Sequence, residues 1–193
     1  MKRVLLFTLA LFATGLLFGQ EKFEIGLVAG GGYFHTGELE NEFDFTNTLS
    51  AHGGVYFLKP VFNQQFVETG LLFNYRKTEI DETYLREDMS LIGMSLNSLE
   101  LPVNYGLKLN KNWMVKAGLS GAWLLDENIE REKFEINGLL GMGYDLNRVK
   151  IFLNYQQSIN KTDFMLRDGD QGLLIKHRRS LLKLDVNIPI FRL

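Results

Sequence analysis

Three observations predict an all-β fold: an eight-stranded antiparallel up-and-down transmembrane β-barrel. Apolar residues alternate with small or polar ones at period two over most of the chain. The connections between these segments are alternately short and long. The more apolar face carries almost no charge.

The N-terminus comes first. MKRVLLFTLALFATGLLFGQ sets Lys2 and Arg3 before an apolar run from Val4 to Phe18. This is the basic and apolar pattern of a secretory signal, which predicts a cleaved signal peptide over residues 1–19 and a barrel domain over 20–193. No later run is long and apolar enough for a membrane helix, so insertion must use strands.

The first strand places Phe23, Ile25, Leu27, Ala29 and Tyr33 on one face and Glu24, Gly26, Val28, Gly30 and Gly32 on the other. The second sets Leu49, Ala51, Gly53, Val55 and Phe57 against Ser50, His52, Gly54 and Tyr56. The third sets Val67, Thr69, Leu71, Phe73 and Tyr75 against Glu68, Gly70, Leu72, Asn74 and Arg76. The fourth sets Leu99, Leu101, Val103, Tyr105 and Leu107 against Glu100, Pro102, Asn104, Gly106 and Lys108. The fifth runs from Trp113 to Trp123, with Met114, Lys116, Gly118, Ser120 and Ala122 on its less apolar face. EINGLLGMGYDLNRVKIFLNYQQ reads as a hairpin supplying the sixth and seventh strands, with Tyr144 opposite Ile151, Asp145 opposite Lys150 and Gly143 leaving room for Phe152. The eighth sets Leu182, Leu184, Val186, Ile188 and Ile190 against Lys183, Asp185 and Asn187. A tilted strand needs about 9–11 residues to cross a bilayer, and these segments reach roughly that length.

Short connections fall near residues 59–64, 110–112 and 147–148, and long ones near 35–47, 77–94, 125–133 and 160–179. Bacterial outer-membrane barrels place short turns in the periplasm and long loops outside.

Alternation alone would also suit a soluble barrel with its apolar face inward. Small residues on the less apolar face favour a crowded eight-stranded lumen instead. Aromatics gather at both ends of the apolar face. Phe23, Phe57, Trp113 and Tyr144 lie toward the short-turn rim, and Tyr33, Tyr75, Trp123, Phe134 and Tyr155 toward the long-loop rim. Two such girdles are what the two lipid–water interfaces favour.

The inward face carries Glu68, Arg76, Glu100, Lys108, Lys116, Glu135, Asp145, Lys150, Lys183 and Asp185. Eight strands leave an interior that side chains can fill, so these charges read as a paired network in the lumen. Glu68 and Lys108, near the short-turn rim, lie close to Asp145 and Lys150. In the fourth long loop, Lys176, Arg178 and Arg179 are candidates for contact with lipopolysaccharide phosphates. Loop one carries Glu38, Glu40, Glu42 and Asp44 without EF-hand spacing and reads as a solvated acidic loop.

A chain of 193 residues with a formal net charge of -2 gives no ground for nucleic-acid binding. With no cysteine, disulfides, thiolate metal sites and a cysteine nucleophile are excluded. His35, His52 and His177 show no grouping with a nucleophile, and no Gly-x-Ser-x-Gly motif is present. No catalytic, cofactor or metal site is assigned.

SLELPVNYGLKLNKNWMVKAGLSGAWLL, residues 98–125, resembles the PorT-like outer-membrane β-barrel family of Bacteroidetes, small OmpA-like barrels with a signal peptide. FEIGLVAGGGYF, FVETGLLFNYRKT and GLLGMGYDLNRVKIFLNYQQSI are similar to other strands of that family, so the resemblance spans most of the chain. It implies an outer-membrane location. One namesake acts in type IX protein secretion. The expected role is a non-catalytic structural or interaction protein of the cell envelope, present as a monomer. An accessory role in secretion and a narrow channel are the alternatives. Its expected partners are outer-membrane lipid, lipopolysaccharide and other envelope or secretion proteins.

Overall fold

The structure is a computed structural model, and it describes residues 23–36, 45–46, 48–80, 94–125, 133–160, 162–168, 171–177 and 179–192. The expected signal peptide lies outside these residues, as do most of the long connections.

The strands are β1 (Glu24–Thr36), β2 (Phe45–Thr46), β3 (Thr48–Phe62), β4 (Gln65–Ile80), β5 (Met94–Lys108), β6 (Trp113–Leu124), β7 (Phe134–Asp145), β8 (Lys150–Ser158), β9 (Thr162–Asp168), β10 (Gln171–His177) and β11 (Arg179–Arg192). β1, β3, β4, β5, β6, β7, β8 and β11 pair antiparallel in turn, and β11 closes on β1. These are the eight strands that alternation predicts. Following the register from Glu24 through Leu58, Glu68, Asn104, Gly118, Leu139, Gln156 and Leu181 returns to β1 at Phe34, ten residues further on. That stagger corresponds to strands tilted by about 40° in an eight-stranded barrel.

The pleat sorts the residues. Leu27, Leu71, Val103, Leu119, Leu140, Leu153 and Leu184 are exposed on the outer wall, while Phe66, Met114 and Phe152 are buried inside. An exterior this apolar suits lipid rather than water.

Each of the three prolines sits where the ladder is interrupted. The β3–β4 register shifts between Pro60 and Phe62. The β1–β11 register shifts at Ile25/Gly26, with Gly26 opposite Pro189. The β4–β5 pairing skips from Thr69–Val103 to Leu72–Glu100 around Pro102, and the Thr69 hydroxyl donates to the Pro102 carbonyl at 2.8 Å. Proline has no N–H to give a ladder, so its place in a closed barrel is at such a break.

The hairpin over residues 145–150 has the expected register: Asp145–Lys150, Tyr144–Ile151 and Gly143–Phe152. Its turn differs from a primed two-residue turn with two left-handed residues. Asn147 alone has a positive φ, 69°, and the Arg148 N–H donates to the Leu146 carbonyl at 2.9 Å, which is a γ-turn. Asparagine tolerates this backbone region better than most residues, and the Asn147 N–H is held by Asp145 Oδ1 at 2.7 Å.

One long connection is more structured than its sequence reading. β9 and β10 form a separate hairpin with Leu166 opposite Leu173 and Phe164 opposite Ile175. The Asp168-Gly169-Asp170 run between two short apolar segments is the signal that identifies it.

Candidate functional site: a lumen of tiered charges

The inward side chains fill the barrel as stacked clusters rather than one continuous network. Nearest the short-turn rim, Glu24 on β1 accepts from the Tyr56 hydroxyl at 2.6 Å and from Arg192 Nε at 2.9 Å, and it is paired with the Lys150 ammonium. Glu68 forms the next tier. Lys116 Nζ lies 2.6 Å from its Oε1, and Asn104 and Asn187 donate to it at 3.1 and 3.5 Å. Midway, Asp185 holds His52 Nε2 at 2.9 Å and accepts from Asn154 Nδ2 at 2.6 Å. Above it, Glu100 accepts from Asn74 at 3.0 Å and Gln156 at 2.9 Å, with Lys183 Nζ at 4.0 Å. At the long-loop end, Glu135 meets Arg179 at 3.1 Å and Arg76 at 3.7 Å.

These groups are removed from water: the side chains of Glu100, Glu135 and Lys183 are at most 1 % exposed. Charges buried this deeply persist only with close opposite partners and further hydrogen bonds, which Asn74 and Gln156 supply to Glu100. Apolar side chains seal the short-turn half. Tyr56, Leu58, Phe66, Leu72, Met114, Val28 and Phe152 form one buried cluster, and Lys116 lies 4.0 Å from the centre of the Phe152 ring.

Glycine makes this density feasible. Gly106 stands directly across from Phe66 and Gly143 from Phe152, and a Cβ at either would overlap the facing ring. What remains beside Glu68, Lys116 and Asp185 is a cavity of about 20 Å³, room for about one water.

The predicted lumen residues are therefore placed as follows. Glu68, Arg76, Glu100, Lys116, Glu135, Lys150, Lys183 and Asp185 are buried inside and engaged. The expected local grouping near the short-turn rim is not what forms. Glu68 takes Lys116, not Lys108, which stands half-buried at the rim. Lys150 is opposite Asp145 in register, but its ammonium crosses to Glu24, and Asp145 caps the turn instead. Lysine reaches over a neighbouring strand, so the partner is set by what lies across the lumen.

Arg179 requires the largest correction. Expected at the outer surface against lipopolysaccharide, its side chain is only 3 % exposed and is paired with Glu135 in the lumen. It shares the inward parity of Lys183 and Asp185, and that parity is the signal that could have found it. Lys176 lies in β10 opposite Asp163, its side chain outside the description, and Arg178 lies outside the described residues altogether. Sequence reasoning also missed Glu24, His52 and Arg192 as members of the clusters.

The outer wall carries the aromatics. Toward the short turns, Phe23 and Phe57 lie 5.6 Å apart, and Trp113 meets Tyr144 edge-to-face at 5.1 Å. Toward the long loops, Trp123 meets Phe134 at 5.8 Å, and Tyr33, Tyr75 and Tyr155 are exposed. Gly138 also faces outward, with nothing nearer to a built Cβ than Ile159 at 4.0 Å, and nothing in the structure requires a glycine there.

Among the described residues no three His, Asp or Glu side chains converge as a metal site. His35 and His177 have side chains outside the description. His52 packs against Gly30 and bonds to Asp185, and no serine or threonine hydroxyl among the described residues is hydrogen-bonded to it.

Comparison with known proteins agrees with this geometry. No curated protein matches the chain. Among solved structures, the outer membrane protein OprG from Pseudomonas aeruginosa is similar at 11% identity and a TM-score of 0.53, over 88% of this chain and 93% of that one. A Pseudomonas aeruginosa FadL homologue matches 76% of this chain but 38% of its own, at 12% identity and a TM-score of 0.37. The first likeness is one of fold, and the second is too distant to add to it. The family described as outer membrane protein beta-barrel domain matches residues 18–163, so this chain belongs to that outer-membrane barrel family.

Proposed function

We infer that this barrel is a non-catalytic structural or interaction protein of the outer membrane, acting as a monomer, with a lumen that does not conduct. One observation carries the reading: among the described residues the lumen holds stacked buried ion pairs, and a buried apolar cluster seals its short-turn half, with a cavity of about 20 Å³ beside Glu68. A hydrated ion would have to displace several buried pairs at once. Planar-bilayer recording of the purified barrel tests this. The reading expects no stable single-channel conductance, and a stable, large conductance would overturn it in favour of a channel.

The accessory role in protein secretion rests on the PorT-like resemblance alone. A deletion strain with a wild-type set of secreted proteins would remove it. Loss of specific secreted proteins, restored by the intact gene, would support it.

A further inference from the structure

The short-turn rim differs from the rest of the molecule in charge. Its three turns read KPVFNQ, KLNKN and DLNRV, which bring Lys59, Lys108, Lys111 and Arg148 to one rim; Asp145 is the one carboxylate within these turns, and Glu24 nearby is taken up by Lys150 and Arg192. In contrast, loop one on the opposite side carries Glu38, Glu40, Glu42 and Asp44 in sequence, with no Lys or Arg.

Two of these turns are joined. Asn112 Nδ2 donates to the Asp145 carbonyl at 2.9 Å, and the Asp145 N–H donates to the Asn112 carbonyl at 2.7 Å. Asn110 Oδ1 accepts from the N–H groups of Asn112 and Trp113, both at 2.9 Å, which ties down the turn bearing Lys111. Asp145 is occupied by the Asn147 N–H, and among the described residues neither Lys111 nor Arg148 makes an ion pair.

Each cation sits two residues past an exposed leucine. Leu109 precedes Lys111 and is 57% exposed; Leu146 precedes Arg148 and is 52% exposed. Both leucines continue the lipid-facing parity of their strands, next to the Trp113–Tyr144 pair. The second turn runs from the interfacial aromatic Tyr144 through Leu146 to Arg148, and in the first turn Lys111 stands between Leu109 and Trp113, so both cations lie just past the aromatic belt, where the headgroups of a leaflet begin. Short turns of such barrels face the periplasm.

We propose that the joined turns carrying Lys111 and Arg148 form a binding site for the headgroup of an anionic phospholipid of the periplasmic leaflet. The phosphate lies between the two cations, and its acyl chains run down past Leu109, Leu146 and Trp113. An anionic surface attracts a nearby Lys or Arg strongly enough to change occupancy about five-fold per cation, an effect that salt screens.

The test is native mass spectrometry of the full barrel, released from mixed micelles holding equal amounts of phosphatidylethanolamine and phosphatidylglycerol. The wild type is expected to retain phosphatidylglycerol preferentially. Lys111→Gln with Arg148→Gln is expected to lower that preference by about twenty-five-fold, while Lys133→Gln, at the other rim, leaves it unchanged. Heat-modifiable migration verifies that each variant is folded. The proposal is overturned if the double variant keeps the wild-type preference, if the wild type shows none, or if lipid A competes the phosphatidylglycerol away through the same two residues.

Discussion

Removing the ammonium of Lys116 tests whether the lumen is held by paired charge. Its Nζ lies 2.6 Å from Glu68 Oε1, and the two side chains are 2 % and 6 % exposed, so neither charge reaches bulk water. Lys116→Met keeps most of the stem over Phe152 but leaves Glu68 with two amide donors, from Asn104 and Asn187. Breaking a buried pair from one side costs about 3–5 kcal/mol, because the remaining charge stays buried. Glu68→Gln strands the lysine and should cost a similar amount. The double variant removes both charges, and replacing a buried pair by neutral side chains of similar size is often close to neutral. The coupling energy should therefore be at least about 2 kcal/mol, well above the ~0.5 kcal/mol within which independent sites add. Reversible urea unfolding in lipid vesicles, read by tryptophan fluorescence and gel migration, measures all four corners of the cycle. Additive single-variant effects would refute the claim that these two side chains neutralise each other.

Two further outcomes follow from the packing. Gly143→Leu should destabilise the barrel by about 1–3 kcal/mol through overlap with the Phe152 ring, and Phe152→Ala in the same chain should recover part of that loss, as urea midpoints would show. Leu153→Arg, on the outer wall in the middle of β8, should cost about 2–4 kcal/mol in vesicles and much less in a detergent that lets the side chain reach water, so equal losses in both would argue against a lipid-facing Leu153.

The strands were legible because period-two alternation is strong where one face meets lipid and the other a crowded lumen. Leu153 and Tyr155 against Phe152, Asn154 and Gln156 show this within a few residues. The hairpin register was legible because turn length and parity fix it together: Asp145 meets Lys150 whatever the rest of the barrel does. Ion-pair partners were less so. Glu68 on β4 meets Lys116 on β6, and Lys150 on β8 meets Glu24 on β1, each pair reaching past the strand between them. Those meetings depend on the ten-residue stagger, a property of closure that no single strand encodes. The KHRR run misled for another reason. A cluster of cations reads as a solvated loop, yet Arg179 already belongs to the inward face of β11. The β9–β10 hairpin was readable from the Asp-Gly-Asp run between its strands, but it lies outside the barrel alternation that dominates the chain.

The chain has no cysteine, so single cysteines can be placed along β8 from Ile151 to Gln157 and spin-labelled in reconstituted vesicles. Collision rates with oxygen, which concentrates in lipid, and with a water-soluble nickel chelate then report each position. The filled-lumen account predicts high oxygen access at 151, 153 and 155, and low access to both reagents at 152, 154 and 156. High nickel access at 154 and 156 would contradict it, because it would mean a water-filled lumen where the structure places Asn154 against Asp185 and Gln156 against Glu100.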